Sequence, residues 1–352
     1  MQKEIKYIVV GQGLAGTILS FQLFKRGITH VVVGSNRFGT SSEVAAGMFN
    51  PLVFKRITKS WMVDELYPVM HSVYKELENL LDQKFVHSLP IAKLISPHEK
   101  DWWNERVTSQ HLESYFKGFL PSGELPGIKS AFEIAHVTQS GYADLSLLLS
   151  AYRKWLIEHD AFLNEEFNYN DLSIDNGMVA WNGIKAEKII FCEGAAAKKN
   201  PFFSEVKFYL TKGEVLEVEI GGLTQEFIIN KDVFLLPIGN RRYRLGSTYD
   251  HNDLSWRPNS QAAEKLLGKA EALIDCKITL IDHKAGVRPT ISDRRPVLGR
   301  HPKYSNVYIF NGLGTKGVML APYFSGQMVE LMENEAFDVH KEVNVGRFYT
   351  KH

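Results

Sequence analysis

The stretch "KYIVVGQGLAG", residues 6–16, constrains this chain more than any other. A short β-rich run meets G-x-G-x-x-G, formed by Gly11, Gly13 and Gly16, and apolar residues at helical spacing continue to Gly27. A second β-rich run, "HVVVGS", completes a βαβ unit. In such a unit the first glycine makes the tight turn and the second lets backbone approach a pyrophosphate. The third lets helix pack closely on strand. The helix start, at Leu14 and Ala15, offers free N–H groups and a positive dipole end to phosphate. "YIVV" reads as a central parallel strand buried on both faces.

NAD, NADP and FAD all present a pyrophosphate to a turn of this kind, so the turn alone does not choose among them. The end of the second strand usually carries Asp or Glu for the adenosine ribose. Here Gly34 or Ser35 stands at that position. Ser35, Asn36 or main chain is left to contact the ribose; Arg37, a residue type that suits a 2′-phosphate, lies beyond the strand end. "TSSEVAAGMFNP", residues 40–51, then reads as a loop of small residues beside a cofactor. Ser41 and Ser42 can donate to phosphate, and Ala46, Gly47 and Met48 leave room for a flat ring. The same residues also suit a loop that merely packs tightly.

Composition narrows the class. The chain has 352 residues, enough for two modest domains sharing a core. Lys plus Arg number 41 against 40 Asp plus Glu, so no global charge draws it to nucleic acid or an anionic membrane. Cys192 and Cys276 are the only cysteines. They lack metal-ligand spacing and build no disulfide framework, so no metal is expected and a reducing cytoplasm is the natural setting. No run approaches the roughly 20 apolar residues that a membrane span needs.

Later segments supply further motifs. "KIIFCEGAAA" is a strand ending at Gly194, and "TKGEVLEVEI" starts at Thr211. "VFLLPIGNRRYRLGSTYD" contains Phe234, "AGVRPTISDRRPVLGRH" contains Gly286 and Arg288, and "VYIFNGLGTKGVMLAP" runs from Val307. In this order the chain resembles the FAD-dependent D-amino-acid oxidase superfamily, in its glycine oxidase and sarcosine oxidase branch. It is also similar to the oxidase half of the bifunctional enzyme that matures carboxymethylaminomethyl nucleosides of tRNA, most closely at "GLGTKG".

The resemblance implies an α/β chain, α+β overall. A Rossmann-like FAD-binding domain with a mainly parallel sheet would occupy 1–85, 136–205 and 281–352. A substrate domain with a mixed, largely antiparallel sheet would occupy 86–135 and 206–280. It further implies hydride transfer from a carbon bearing an amine to flavin N5, with oxygen or another acceptor taking the electrons afterwards. The expected substrate is a small carboxylated primary or secondary amine. The alternatives are a modified tRNA nucleoside, or a flavin-binding subunit without catalysis.

Residue roles follow from the same resemblance. Arg288 would grip the substrate carboxylate, with pairing to Asp293 as the competing structural use. Phe234 falls where related chains carry a substrate-side tyrosine, and Phe167 falls at an adenine contact. Gly286 would let backbone approach the flavin. The segment Gly312, Leu313, Gly314, Thr315, Lys316 and Gly317 would bring a helix start and a lysine charge to the flavin's pyrimidine edge. No cysteine follows Cys276, so FAD is expected to be non-covalent. Trp61, Trp102 and Trp103 are expected to pack in the interior, or else to wall the substrate.

Overall fold

The structure, a computed structural model, describes residues 5–35, 40–121, 123–175, 177–334 and 336–349. Asn36 and Arg37 lie outside the described residues.

A six-stranded sheet forms one layer. Its spatial order is Phe162–Asn164, His30–Gly34, Tyr7–Val10, Lys188–Phe191, Val307–Asn311 and Val297–Arg300. The first four pairings are parallel and the last is antiparallel. Tyr7–Val10 is buried throughout, as its unbroken apolar run requires of a strand covered on both faces. Helix Leu14–Lys25 is buried from Leu14 to Leu23, all the way round. It packs against helices Gly317–Glu333 and Leu145–Glu158 as well as the sheet, so it is buried on every side. A three-stranded antiparallel ribbon, Leu172–Asp175, Met178–Trp181 and Ile184–Ala186, lies in the crossover between the edge strand and Lys188–Phe191.

The second layer is an eight-stranded sheet. Its order is Ile278–Ile291, Phe208–Ile220, Arg242–Gly246, Phe234–Gly239, Ile228–Asn230, Ile91–Ile95, Glu133–Val137 and Phe116–Leu120. Every pairing is antiparallel except Ile228–Asn230 with Ile91–Ile95. Ile278–Ile291 and Glu133–Val137 each run across a position expected as a domain boundary, and both belong to the eight-stranded sheet. The pairing of Phe208–Ile220 with Ile278–Ile291 sets Gly213 opposite Gly286 and Thr211 opposite Arg288. That register fixes what faces the space between the sheets.

Residues 40–51 are not wholly loop. Thr40 caps a single helical turn, Ser41–Val44, with Glu43 returning the bond in a capping box. The Thr-x-x-Glu spacing that signals such a box stands in the sequence. Among the described residues no helix is long and apolar enough to cross a membrane.

Candidate active site

A cavity of about 1000 Å³ runs between the two layers. Of the residues expected at the cofactor, Gly11, Gly13, Leu14, Ala15, Gly34, Ser35, Ser41, Ser42, Ala46, Gly47, Met48, Phe167, Gly194 and Gly286 line it. So do Leu313, Gly314, Thr315, Lys316 and Gly317, together with Phe234 and Arg288 from the substrate side. Gly16 and Gly312 do not line it. A Cβ on Gly16 would lie 1.9 Å from the Gly11 carbonyl oxygen, and one on Gly312 would meet Ile291 at 2.4 Å. Both positions are therefore closed by the protein's own packing.

At the glycine-turn end, Gly11 has φ +102°, a conformation that favours glycine, and a Cβ there would sit 2.5 Å from the Cys192 carbonyl oxygen. Gly13 differs: its nearest neighbour would be Ser42 Oγ at 3.5 Å, so it faces open cavity. Leu14 N donates to Ser42 Oγ at 3.1 Å, which joins the helix start to the capped turn. Gly13, Leu14 and Ser42 thus form a cradle whose open side a Cβ would fill, and this fits a pyrophosphate.

Gln12, Arg153 and Glu193, at this end, escaped sequence reasoning. Gln12 is buried, and its Oε1 accepts from Arg153 Nε at 2.6 Å. Glu193 accepts from Tyr169 OH at 2.5 Å and from Asn200 Nδ2 at 2.8 Å. Burial nonetheless pushes the Glu193 carboxyl up to about 7. Glu193 follows an apolar strand in the sequence, where an acid ordinarily reads as exposed loop; only the cavity wall makes it unusual. Phe167 stacks on Trp181 with ring centroids 5.0 Å apart while lining the same end of the cavity.

At the opposite end Arg288 donates from Nη1 to the Thr248 carbonyl at 3.1 Å, with a long contact to the Lys212 carbonyl at 3.5 Å. Its guanidinium lies 4.5 Å from the Tyr249 ring centroid. The competing use of Arg288 falls away, because Asp293 pairs with Arg347, Nε to Oδ2 at 2.8 Å. Gly213 lies directly beneath the guanidinium: a Cβ there would come within 2.0 Å of Nη2. A glycine inside a strand signals close approach of another group, and this one stands in "TKGEV".

Phe234 lines the cavity with its ring over Gly246, where a Cβ would meet Phe234 Cζ at 2.8 Å. Lys316 Nζ donates to Ser60 Oγ, and burial pulls the ammonium down to about 8. Lys316 immediately precedes helix Gly317–Glu333, so its charge adds to the positive end of that helix. None of Trp61, Trp102 and Trp103 lines the cavity. Trp61 stacks on Phe324 and Trp103 is buried against Phe54 and Phe116, whereas Trp102 is exposed, contrary to the interior position expected of it. Among the described residues no group of His, Cys, Asp and Glu could hold a metal ion.

A family model described as "FAD dependent oxidoreductase" matches residues 6–331. The glycine oxidase of Bacillus licheniformis is 25% identical over 94% of this chain and 94% of its own length. The tRNA 5-methylaminomethyl-2-thiouridine biosynthesis bifunctional protein of Leptospira interrogans is 27% identical over 97% of this chain, a match that spans 59% of that protein. Among solved structures, glycine oxidase from Geobacillus kaustophilus superposes with TM-score 0.80 at 20% identity, over all of both chains.

Proposed function

The chain belongs to the FAD dependent oxidoreductase family, and from that premise we propose that it oxidises the C–N bond of a small amine bearing a carboxylate. One observation carries the substrate class. Arg288 stands in the cavity wall with main-chain carbonyls and an aromatic face as its partners, and among the described residues it makes no ion pair. A planar guanidinium so placed retains donors for a bidentate carboxylate.

Bound FAD supplies the acceptor for the hydride. The chain's own residues do the positioning. Arg288 holds the carboxylate and so fixes the α-carbon relative to the cavity floor. Phe234 closes one side without offering a hydroxyl, so it adds no hydrogen bond to the hold of Arg288 on the carboxylate. Lys316 and the start of helix Gly317–Glu333 bring positive charge to the wall, where it favours electron density arriving there. The cradle of Gly13, Leu14 and Ser42 would hold the pyrophosphate.

FAD is held without a covalent bond in this reading. Cys276 neighbours Gly127 and Gly222, away from the cavity, and the Cys192 thiol is raised well above its ordinary value by burial. Acid precipitation should therefore release intact FAD into the supernatant; flavin retained in the pellet refutes this part. Anaerobic mixing of the FAD-loaded protein with N-methyl and simple amino acids tests the whole reading. Bleaching by carboxylated amines, and much slower bleaching by the same amines lacking the carboxylate, is the expected result. Bleaching only by tRNA carrying a carboxymethylamino group would move the substrate to the nucleoside.

A further inference from the structure

Residues 247–259, between strand Arg242–Gly246 and helix Ser260–Glu271, contribute Ser247, Tyr249, Leu254 and Trp256 to the cavity wall. The segment is tied down from behind by Lys212, whose side chain is 1% exposed. Its Nζ donates to Asp253 Oδ2 and to the Arg257 carbonyl, each at 2.5 Å, and lies 3.3 Å from Glu214 Oε1. The main chains of Lys212 and Asp250 exchange two hydrogen bonds, 2.8 and 3.0 Å. Glu214 adds two more ties: its N–H donates to Thr248 Oγ1 at 2.9 Å, and its Oε2 accepts from Asn259 N at 2.9 Å. His283 Nε2 stands 2.6 Å from that same Oε2. A desolvated ammonium with this many partners is costly to unpair, so the segment is held in one place.

The inner side of this tethered segment is apolar. Tyr249, Leu254 and Trp256 line the cavity, and Tyr249 and Trp256 remain 65% and 37% exposed. Apolar surface of that size gains by being covered, yet the ties behind it prevent the segment from collapsing onto itself. The surface is continuous with the carboxylate site, because Tyr249 stacks beneath Arg288 and the Thr248 carbonyl accepts from it.

We propose that residues 247–259 are a preformed specificity wall, and that the substrate carries an apolar group of aromatic size that lies on Leu254 and Trp256 while Arg288 holds its carboxylate. The proposal rests on the carboxylate reading above and adds the chemistry of the remainder of the substrate. Lys212 and Asp253 are positioning residues: they touch no substrate and act by holding the wall. A wall already in place spares the ligand the cost of ordering it.

Two carboxylates that differ only by a ring test this without turnover. Phenylacetate and acetate are titrated into the FAD-loaded protein, with flavin absorbance as the readout. Phenylacetate should bind at least about tenfold more tightly than acetate, the gain expected for burying a ring. Trp256→Ala should remove most of that preference, and Asp253→Asn should reduce it while lowering the thermal midpoint, because Lys212 loses one of its charged partners. FAD affinity, measured by quenching of flavin fluorescence, should be unchanged in Trp256→Ala. Equal affinity for the two ligands, with both still dependent on Arg288, overturns the wall and spares the carboxylate reading. Preferential binding of phenylacetate that survives Arg288→Ala overturns the carboxylate reading and spares the wall. Loss of FAD affinity in Trp256→Ala overturns the proposal by assigning the surface to the cofactor.

Discussion

At the glycine-turn end of the cavity the tightest packing is main chain against main chain, as between Gly16 and Gly11, with side-chain ties such as Gln12 to Arg153 around it. At the Arg288 end they are side chains meeting segments far off in sequence: Arg288 touches the carbonyl of a residue 76 positions away, and Lys212 pairs with Asp253. Backbone packing leaves no rotamer freedom, so the first end tolerates little change. Side chains can move, so the second end can be retuned without unfolding the protein. The glycine-turn end is rigid by construction; the Arg288 end is held by ties that substitutions can loosen one at a time.

The largest effect should come from Arg288→Ala. A carboxylate facing a partly dehydrated wall without its partner loses about 2–5 kcal/mol, up to a few thousandfold in kcat/KM. The loss should be confined to carboxylated amines, with FAD content unchanged and Arg288→Lys restoring only part. Equal losses for amines with and without the carboxylate would make Arg288 a structural residue.

Gly213→Ala sharpens the comparison. The new Cβ would collide with the guanidinium, which is the free end of a flexible side chain, so the fold should survive and Arg288 should shift. A misplacement of that kind costs up to about 100-fold in rate. Thermal melting beside flavin-reduction kinetics separates the two effects; a large fall in stability would show that Arg288 is as rigidly packed as the glycine turn.

Gly16→Ala and Gly13→Val test the other end as a pair. Alanine ordinarily gains up to about 1 kcal/mol over glycine inside a helix. At Gly16 the overlap with the Gly11 carbonyl should prevail and destabilise by about 1–3 kcal/mol. Gly13→Val should melt near the parent because its side chain enters open cavity, yet it should lose FAD. Denaturant unfolding and flavin titration of both variants check this, and the reverse pattern would misplace the phosphate cradle.

The last expected effect concerns pH. The Glu193 carboxyl is raised from an ordinary 4.5 to about 7 by burial. A raised folded value means that the native state binds the extra proton. Its contribution to stability is full below about 4.5 and is lost as pH rises through about 7. Glu193→Gln should flatten that part of the apoprotein's thermal midpoint against pH. An unchanged slope would show that Glu193 is not the group responsible.

The glycine turn and the βαβ unit around it were legible because their determinants are local: glycine spacing, apolar runs and helix starts act over a few residues, whereas the cofactor class came from a resemblance spread over the whole chain. The capping box at Thr40 and Glu43 was equally local, although small neighbours made its segment read as loop. Lys212, Glu214 and Asp253 were not legible. In a strand or a polar loop such residues ordinarily face water, and nothing near them in sequence marks Lys212 and Glu214 as buried or Asp253 as the partner of Lys212. Tyr249 likewise gained its meaning only when the register of Phe208–Ile220 against Ile278–Ile291 set Gly213 below Arg288.

By itself, then, the sequence determined that a pyrophosphate-binding βαβ unit opens the chain, since steric rules for glycine and periodicity for helix and strand operate at short range. Only the tertiary structure decided which cations stay paired, which aromatic faces remain uncovered and which acid is buried. Those properties depend on desolvation and on partners delivered by strand register, and both come into being only when distant segments pack.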